Sequence, residues 1–157
     1  MKDRNNLIDG FRVFEKPAVE TPFKFHSSID VYERMKDYRK ADREIFLVLF
    51  MDAKNNCLSI EVQSIGTVDQ SSIYPREVMK SALLKNATSL IFVHNHPTGD
   101  PDPSVSDRDV TAQLVFCGRV CQVRVLDHII LGEGRYFSFG DEGLIGDYEE
   151  KAKLLGY

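Results

Sequence analysis

The sequence predicts a mixed α/β domain, an α+β arrangement in which helices flank one mixed β-sheet in the order α-β-β-α-β-α-β-β. Three observations carry this expectation. Ile45-Phe46-Leu47-Val48-Leu49-Phe50-Met51 and Ser89-Leu90-Ile91-Phe92-Val93 are nearly unbroken apolar runs. They are too short for ordinary helices and read as strands buried on both faces. Segments whose apolar residues recur at helical spacing lie before, between and after them. Finally, the 157 residues are 43% hydrophobic and 28% charged, the balance of an ordinary soluble protein with one core.

Each element follows in order. Residues 1–27 mix Pro17 and Pro22 with polar side chains, without a sustained period, and are expected to form an extended lead-in outside the core. The domain proper is expected over residues 28–140. Ser27 or Ser28 can cap a helix through about Arg39, with Ile29, Tyr32, Met35 and Lys36 near helical spacing and Asp30 or Glu33 suited to its first turn. After the first apolar run, Asp52-Ala53-Lys54-Asn55-Asn56 turns the chain into a second strand from Cys57 to Ile65. There Leu58, Ile60 and Val62 alternate, which predicts an antiparallel hairpin ended by Gly66. Pro75 suits a first helical position, and Val78, Met79, Ala82 and Leu83 make one apolar face that fades at Asn86. Strand 89–93 then runs into His94-Asn95-His96-Pro97. A proline-rich loop leads to a helix from about Ser104 to Phe116. Two strands follow, Cys121 to Leu131 and Arg135 to Phe139, joined at Gly132-Glu133-Gly134. Residues 141–157 form a tail that can add a short helix.

Charge and cysteine content narrow the partners. Twenty Lys and Arg against 24 Asp and Glu give a formal charge of -4, without the basic excess of proteins dominated by phosphate contacts, so charge does not support a nucleic-acid partner. Cys57, Cys117 and Cys121 are an odd set lacking Cys-x-x-Cys spacing, which argues against a disulfide framework and a zinc knuckle and favours buried free thiols. No apolar run approaches the ~18–20 residues that span a bilayer, and Met1-Lys2-Asp3-Arg4-Asn5-Asn6 leads into no signal-peptide core. A cytoplasmic location and no membrane partner are expected.

The chemistry gathers where the third buried strand ends. Two of the four histidines lie in His94-x-His96, and residues two apart on a strand point to the same face, so their rings can converge. Two neutral imidazoles at ~2.0–2.1 Å from one ion are the usual start of a zinc site, and a third protein ligand completes a catalytic one. Three prolines in Pro97-Thr98-Gly99-Asp100-Pro101-Asp102-Pro103 restrict the following loop, which can return an acid to the histidines. Asp107 is the candidate. Ser104-x-x-Asp107 resembles a capping box with Asp in place of Glu, and the first helical turn stabilises an ionised carboxylate. The expected cofactor is one Zn2+ per chain, held by His94, His96 and Asp107.

His94-Asn95-His96-Pro97, with seven residues before Ser104 and two more before Asp107, resembles the His-x-His-x7-Ser-x2-Asp motif of JAB/MPN-type (JAMM) metallopeptidases. The longer stretch from His94 to Ser104 is similar to the RadC branch of that superfamily, as are Tyr74-Pro75-Arg76-Glu77 and Leu126-Asp127-His128-Ile129-Ile130. The likeness runs from about Asp42 to Gly140. It implies a JAB/MPN-like sheet, a zinc-dependent peptidase or isopeptidase, and a protein or peptide substrate. It also implies that Glu44, ahead of the first core strand, is the general base and that Ser104 stabilises the oxyanion. The residues alone would let Glu44 face solvent and Ser104 serve only as a helix cap. Asn95 stands where eukaryotic deubiquitinases usually carry Ser or Thr, while Asn is similar to the RadC branch.

Other candidates are weaker. Glu61 and Glu77 compete with Glu44 as bases. His128, beside Asp127 in an apolar strand, reads first as a hydrogen-bonded core histidine, and otherwise as a fourth ligand or a partner behind a ligand. His26 has no partner pattern and is expected at the surface. The alternative function is a DNA repair or recombination factor of the RadC type without proteolytic activity. Its usual helix-hairpin-helix region does not fit the short lead-in. The His-x-Glu with Pro-Cys-x-x-Cys pattern of zinc deaminases and the His-Glu-x-x-His helix of other metallopeptidases are both missing from the sequence.

Overall fold

The computed structural model describes residues 23–66 and 73–157, together with the backbone pairing of residues 7–8 with 11–12. Strands β1 (Leu7–Ile8) and β2 (Phe11–Arg12) pair antiparallel with each other. Otherwise the expectation for residues 1–22 lies outside the described residues. The remaining elements are β3 (Phe23–Lys24), α1 (Ser28–Met35), β4 (Glu44–Met51), β5 (Asn56–Gly66), α2 (Pro75–Leu84), β6 (Ser89–Asn95), α3 (Val105–Val120), β7 (Arg124–Leu131), β8 (Tyr136–Ser138) and α4 (Leu144–Leu154). From α1 to β8 they follow the expected order.

Strands β3 to β8 form one six-stranded sheet, ordered β3-β5-β4-β6-β7-β8. Every neighbouring pair is antiparallel except β6 and β7, which run parallel with α3 as the connection between them. Strand β4 lies at the centre and is buried from Ile45 to Met51, as its unbroken apolar run requires. Its two faces feed two cores. Phe46, Val48 and Phe50 join Leu90 and Phe92 beneath α2, α3 and α4, whereas Ile45, Leu47, Leu49 and Met51 join Ile91 and Val93 beneath α1. Burial of this double-sided kind contributes ~1.5–3 kcal/mol per large apolar side chain. No helix among the described residues is long and apolar enough to cross a membrane.

Several boundaries differ from expectation, each for a local reason. The lead-in does not stop short of the core, because β3 pairs with β5 and the Phe25 side chain is buried against Val31 and its neighbours. Three residues alternating Phe-Lys-Phe are too few to register as a period. Ser27 caps α1 by accepting from Asp30 N–H, but the α-helix ends at Met35 and continues as a 3-10 turn over Lys36–Lys40. Helix α3 runs to Val120 rather than Phe116, and β7 starts at Arg124 rather than Cys121. Gln122 adopts a left-handed backbone (φ 58°) that ends the helix, and a Cβ on Gly118 would meet the Val123 carbonyl oxygen at 2.4 Å, so glycine lets the turn fold close. The tail helix α4 packs back through Ile145 and Ala152.

One irregularity bears on the site. Between Leu90 and Ile91 the β6–β7 register slips by one residue, so Leu90 faces Val125 while Ile91 faces Asp127. Leu126 is the extra residue of a bulge. As a result Val125, His128 and Ile130 share the α3 side, where unbroken alternation from Val125 would have turned His128 away.

Candidate metal centre

Strand β6 stays regular through His94 and Asn95, and His96 N–H still reaches the Leu131 carbonyl at 3.3 Å. Both rings therefore emerge on one face. Ser104 opens α3 as the expected capping residue: its hydroxyl oxygen accepts from Asp107 N–H at 3.1 Å while Asp107 Oδ2 accepts from Ser104 N–H at 2.7 Å. This box turns the Asp107 carboxylate inward, 3.1 Å from His94 Nε2 and 3.4 Å from His96 Nε2, and the two imidazole nitrogens are 3.0 Å apart. Donors on a tetrahedral ion with ~2.0–2.1 Å arms lie about 3.3 Å from one another. The His94, His96 and Asp107 group therefore fits a single tetrahedral divalent ion with two nitrogen donors and one oxygen donor.

The outer nitrogens of the rings are also engaged. His96 Nδ1 lies 2.7 Å from the Asp100 carbonyl, which can only accept, so Nδ1 carries a proton and Nε2 is the nitrogen turned toward His94 and Asp107. The loop supplying that carbonyl is braced from outside. Arg135 reaches Asp100 and Asp102, and Glu133 N–H donates to the Gly99 carbonyl at 2.7 Å. Gly132 lets Pro101 pack closely, since a Cβ there would meet Pro101 Cδ at 2.5 Å. His94 Nδ1 faces His128 Nε2 at 2.7 Å, and His128 Nδ1 faces the Thr111 hydroxyl at 2.6 Å.

Electrostatics match these contacts. Burial pushes the Asp107 carboxyl up, but the His94 and His96 rings and the Ser104 hydroxyl beside it outweigh burial and hold the group well below the usual carboxylate range. Burial disfavours a charged His96, yet Asp107, the Asp100 carbonyl and the charge of Glu44 together raise its pKa. Burial, with His94 beside it, lowers His128 far below the ordinary imidazole value. His128 is enclosed by Phe46, Phe92 and Phe139, the last ring stacked at 5.0 Å.

Glu44 begins β4. Phe46 pairs with His94, and the same register carried two residues on sets Glu44 opposite His96, on the same face by alternation. Glu44 is half-buried, His96 partly exposed and Ser104 exposed, whereas His94 and Asp107 are buried, so access to the donors is from the Glu44 and Ser104 side. The Ser104 hydroxyl proton points to Asp107 Oδ2 at 2.7 Å. The competing acids lie elsewhere, Glu61 paired with Lys85 at 2.6 Å and Glu77 with Arg76 and Lys80. His26 is exposed, with its backbone N–H donating to Asp30. Cys57 is buried and Cys117 and Cys121 are partly buried, all as free thiols.

Two contributors escaped the sequence. Asn95, between the histidines, is fully buried on the opposite face; its Oδ1 accepts from Ile45 N–H at 2.8 Å and its Nδ2 donates to the Arg43 carbonyl at 3.0 Å. These bonds grip the backbone on both sides of Glu44. Thr111 is the other, and its position one helical turn after Asp107 was the available signal.

A helix-flanked mixed sheet with a His-x-His pair at the end of one strand and an acid in the following helix defines the JAB class. Residues 25–144 match the RadC-like JAB domain family, and the chain belongs to that family. It is 48% identical over 135 residues to a UPF0758 protein of Methanosarcina mazei, covering 85% of this chain and 59% of the relative. A UPF0758 protein of Desulforudis audaxviator is 41% identical over 129 residues, covering 82% and 54%. One from Histophilus somni is 46% identical over 104 residues, covering 66% and 47%. The chain thus spans about half to three-fifths of the length of these curated relatives.

Proposed function

We propose that this chain is a zinc-dependent metallopeptidase or isopeptidase that hydrolyses an amide bond in a protein or peptide. The observation that carries the reading is the convergence of His94, His96 and Asp107 to 3.0–3.4 Å, with Glu44 two residues before Phe46, which pairs with His94. Two imidazoles and one carboxylate are the donor set of a catalytic zinc. Held by His94, His96 and Asp107, zinc would supply Lewis acidity and make water at the site easier to deprotonate near neutral pH.

The chain's own residues divide the remaining work. Glu44 takes the proton of the attacking water and returns it to the leaving amine, as its half-buried place at the start of β4 suits. Asn95 holds the backbone on either side of Glu44, so the base is set against the histidines by the strand itself. Ser104 has one hydroxyl proton, which rests on Asp107 Oδ2. It stabilises the oxyanion by turning that proton toward substrate while still accepting Asp107 N–H.

The test is metal content and peptide hydrolysis on the same preparations. Wild type carries about one zinc and cleaves a denatured-protein or peptide-library substrate. His96→Ala and Asp107→Ala lose both zinc and cleavage, whereas Glu44→Gln keeps zinc and loses cleavage. Zinc retained by the His96→Ala/Asp107→Ala double variant, or full cleavage by Glu44→Gln, refutes the proposal. Comparing proteins retained on the inactive Glu44→Gln chain with those on wild type then identifies the substrate.

A further inference from the structure

His128 and Thr111 take no part in the hydrolysis described above, yet they are fully buried polar groups joined to two of the proposed ligands. The direction of every proton between them can be worked out from one fixed point. The Asp107 main-chain carbonyl can only accept, so the Thr111 hydroxyl 2.5 Å away donates to it. Thr111 Oγ1 then offers only lone pairs to His128 Nδ1 at 2.6 Å, and Nδ1 must carry the proton. His128 is enclosed by three phenylalanine rings, and with its one imidazole proton placed on Nδ1 the Nε2 facing His94 offers a lone pair. That lone pair receives the Nδ1 proton of His94 at 2.7 Å. His94 Nε2 is left unprotonated, facing His96 Nε2 and Asp107 Oδ1 at 3.0 and 3.1 Å.

We propose that His128 and Thr111 are positioning residues that lock His94 in the one tautomer able to bind a metal ion, using the main chain of Asp107 as the reference. The role rests on reading His94, His96 and Asp107 as a metal centre. It links two ligands by a route separate from the ion: the backbone of one sets the ring of the other. The bulge at Leu126 makes this possible by turning His128 to the α3 side. Loss of such an outer hydrogen bond lowers metal affinity ~10–100-fold.

The experiment uses two readouts on the full chain. The first is zinc affinity, by competition with a chromophoric chelator. The second is the His94 tautomer in metal-free protein, by long-range 15N–1H correlation. Wild type shows His94 protonated on Nδ1. His128→Leu, which cannot accept, binds zinc ~10–100-fold more weakly and populates both His94 tautomers. His128→Gln places an amide oxygen near the Nε2 position and recovers most of both properties, which a purely space-filling role would not predict. Should His128→Leu fail to fold, Thr111→Val, which removes only the anchor, weakens zinc binding in the same direction and Thr111→Ser restores it. The proposal is overturned by a wild-type His94 protonated on Nε2. It is equally overturned by wild-type zinc affinity in a folded His128→Leu or Thr111→Val variant, or by His128→Gln behaving no better than His128→Leu. A wild type that binds no zinc refutes the metal-centre reading instead, and the tautomer of the metal-free protein still decides the ordering separately.

Discussion

Replacing Asn95 with Ala tests whether the residue between the two histidines is a structural clamp. Its side chain is fully buried, accepting from Ile45 N–H at 2.8 Å and donating to the Arg43 carbonyl at 3.0 Å. Truncation leaves the Ile45 N–H buried without a partner, which costs ~1–3 kcal/mol, and the partly buried Arg43 carbonyl adds about 1 kcal/mol or less. With the small void left behind, the expected loss is about 2–4 kcal/mol, a large share of the ~5–15 kcal/mol that holds a domain together. Asn95→Asp costs more than Asn95→Ala, because the carboxylate keeps the bond to Ile45 but turns an acceptor on the Arg43 carbonyl and buries a charge. Urea denaturation followed by circular dichroism gives both values, provided the slope with denaturant is unchanged. Zinc content of the folded Asn95→Ala variant stays at the wild-type value, since no ligand bond is touched. A stability change within ~0.5 kcal/mol, the range of an ordinary surface substitution, would refute the clamp.

Gly132→Ala pushes a methyl into Pro101 and the Gly99 carbonyl, and costs ~1–3 kcal/mol in thermal or urea unfolding. The displaced Asp100 carbonyl also weakens zinc binding in chelator competition. Burial pushes the Asp127 carboxyl up to about 6, against hydrogen bonds from Ser138, Gly140 and His128, and its ordinary value is 3.8. The folded state thus holds this proton more tightly than the unfolded chain. The group's contribution is fully present below the ordinary value and is lost as pH rises through about 6. The span is on the order of 3 kcal/mol, and Asp127→Asn removes that part of the wild-type pH dependence between about 4 and 6 in urea titrations. An unchanged slope would count against it. Ser104→Ala loses a helix cap and destabilises by ~1 kcal/mol, measured the same way. The Cys57 thiol, raised by burial to about 12, resists alkylation at pH 8 until the chain unfolds, while partly buried Cys117 and Cys121 react first; mass spectrometry of labelled peptides distinguishes the order.

The apolar runs made β4 and β6 legible because a strand buried on both faces leaves no ambiguity of phase. The convergence of His94, His96 and Asp107 was legible because both histidines share one strand end and the acid follows within one loop, so local periodicity and capping chemistry were enough. Glu44 was not, since its place opposite His96 depends on the pairing of β4 with β6, and only the resemblance pointed to it. His128 was assigned to the core correctly, but its tie to His94 depends on the bulge at Leu126, which no alternation pattern announces. Asn95 stood out in the sequence only as a departure from the deubiquitinase pattern. Its partners on either side of Glu44 are 50 and 52 positions away in the chain, beyond any local rule. The burial of Phe25 was not legible because the two-residue strand β3 and the residue after it carry too little pattern.

The bracing of residues 97–103 by Arg135, the Glu133 amide and Gly132 has a thermodynamic consequence for ion capture. Ordering seven residues costs about 1–2 kcal/mol each in backbone entropy. Here that loss occurs when β7 and β8 come together, because the contacts that freeze the loop involve no ion. If the donors hold an ion as proposed, uptake would begin from groups already in place, and a small heat-capacity change is the expected result. The proline-rich arc behaves as a rigid seat whose shape is decided by folding alone.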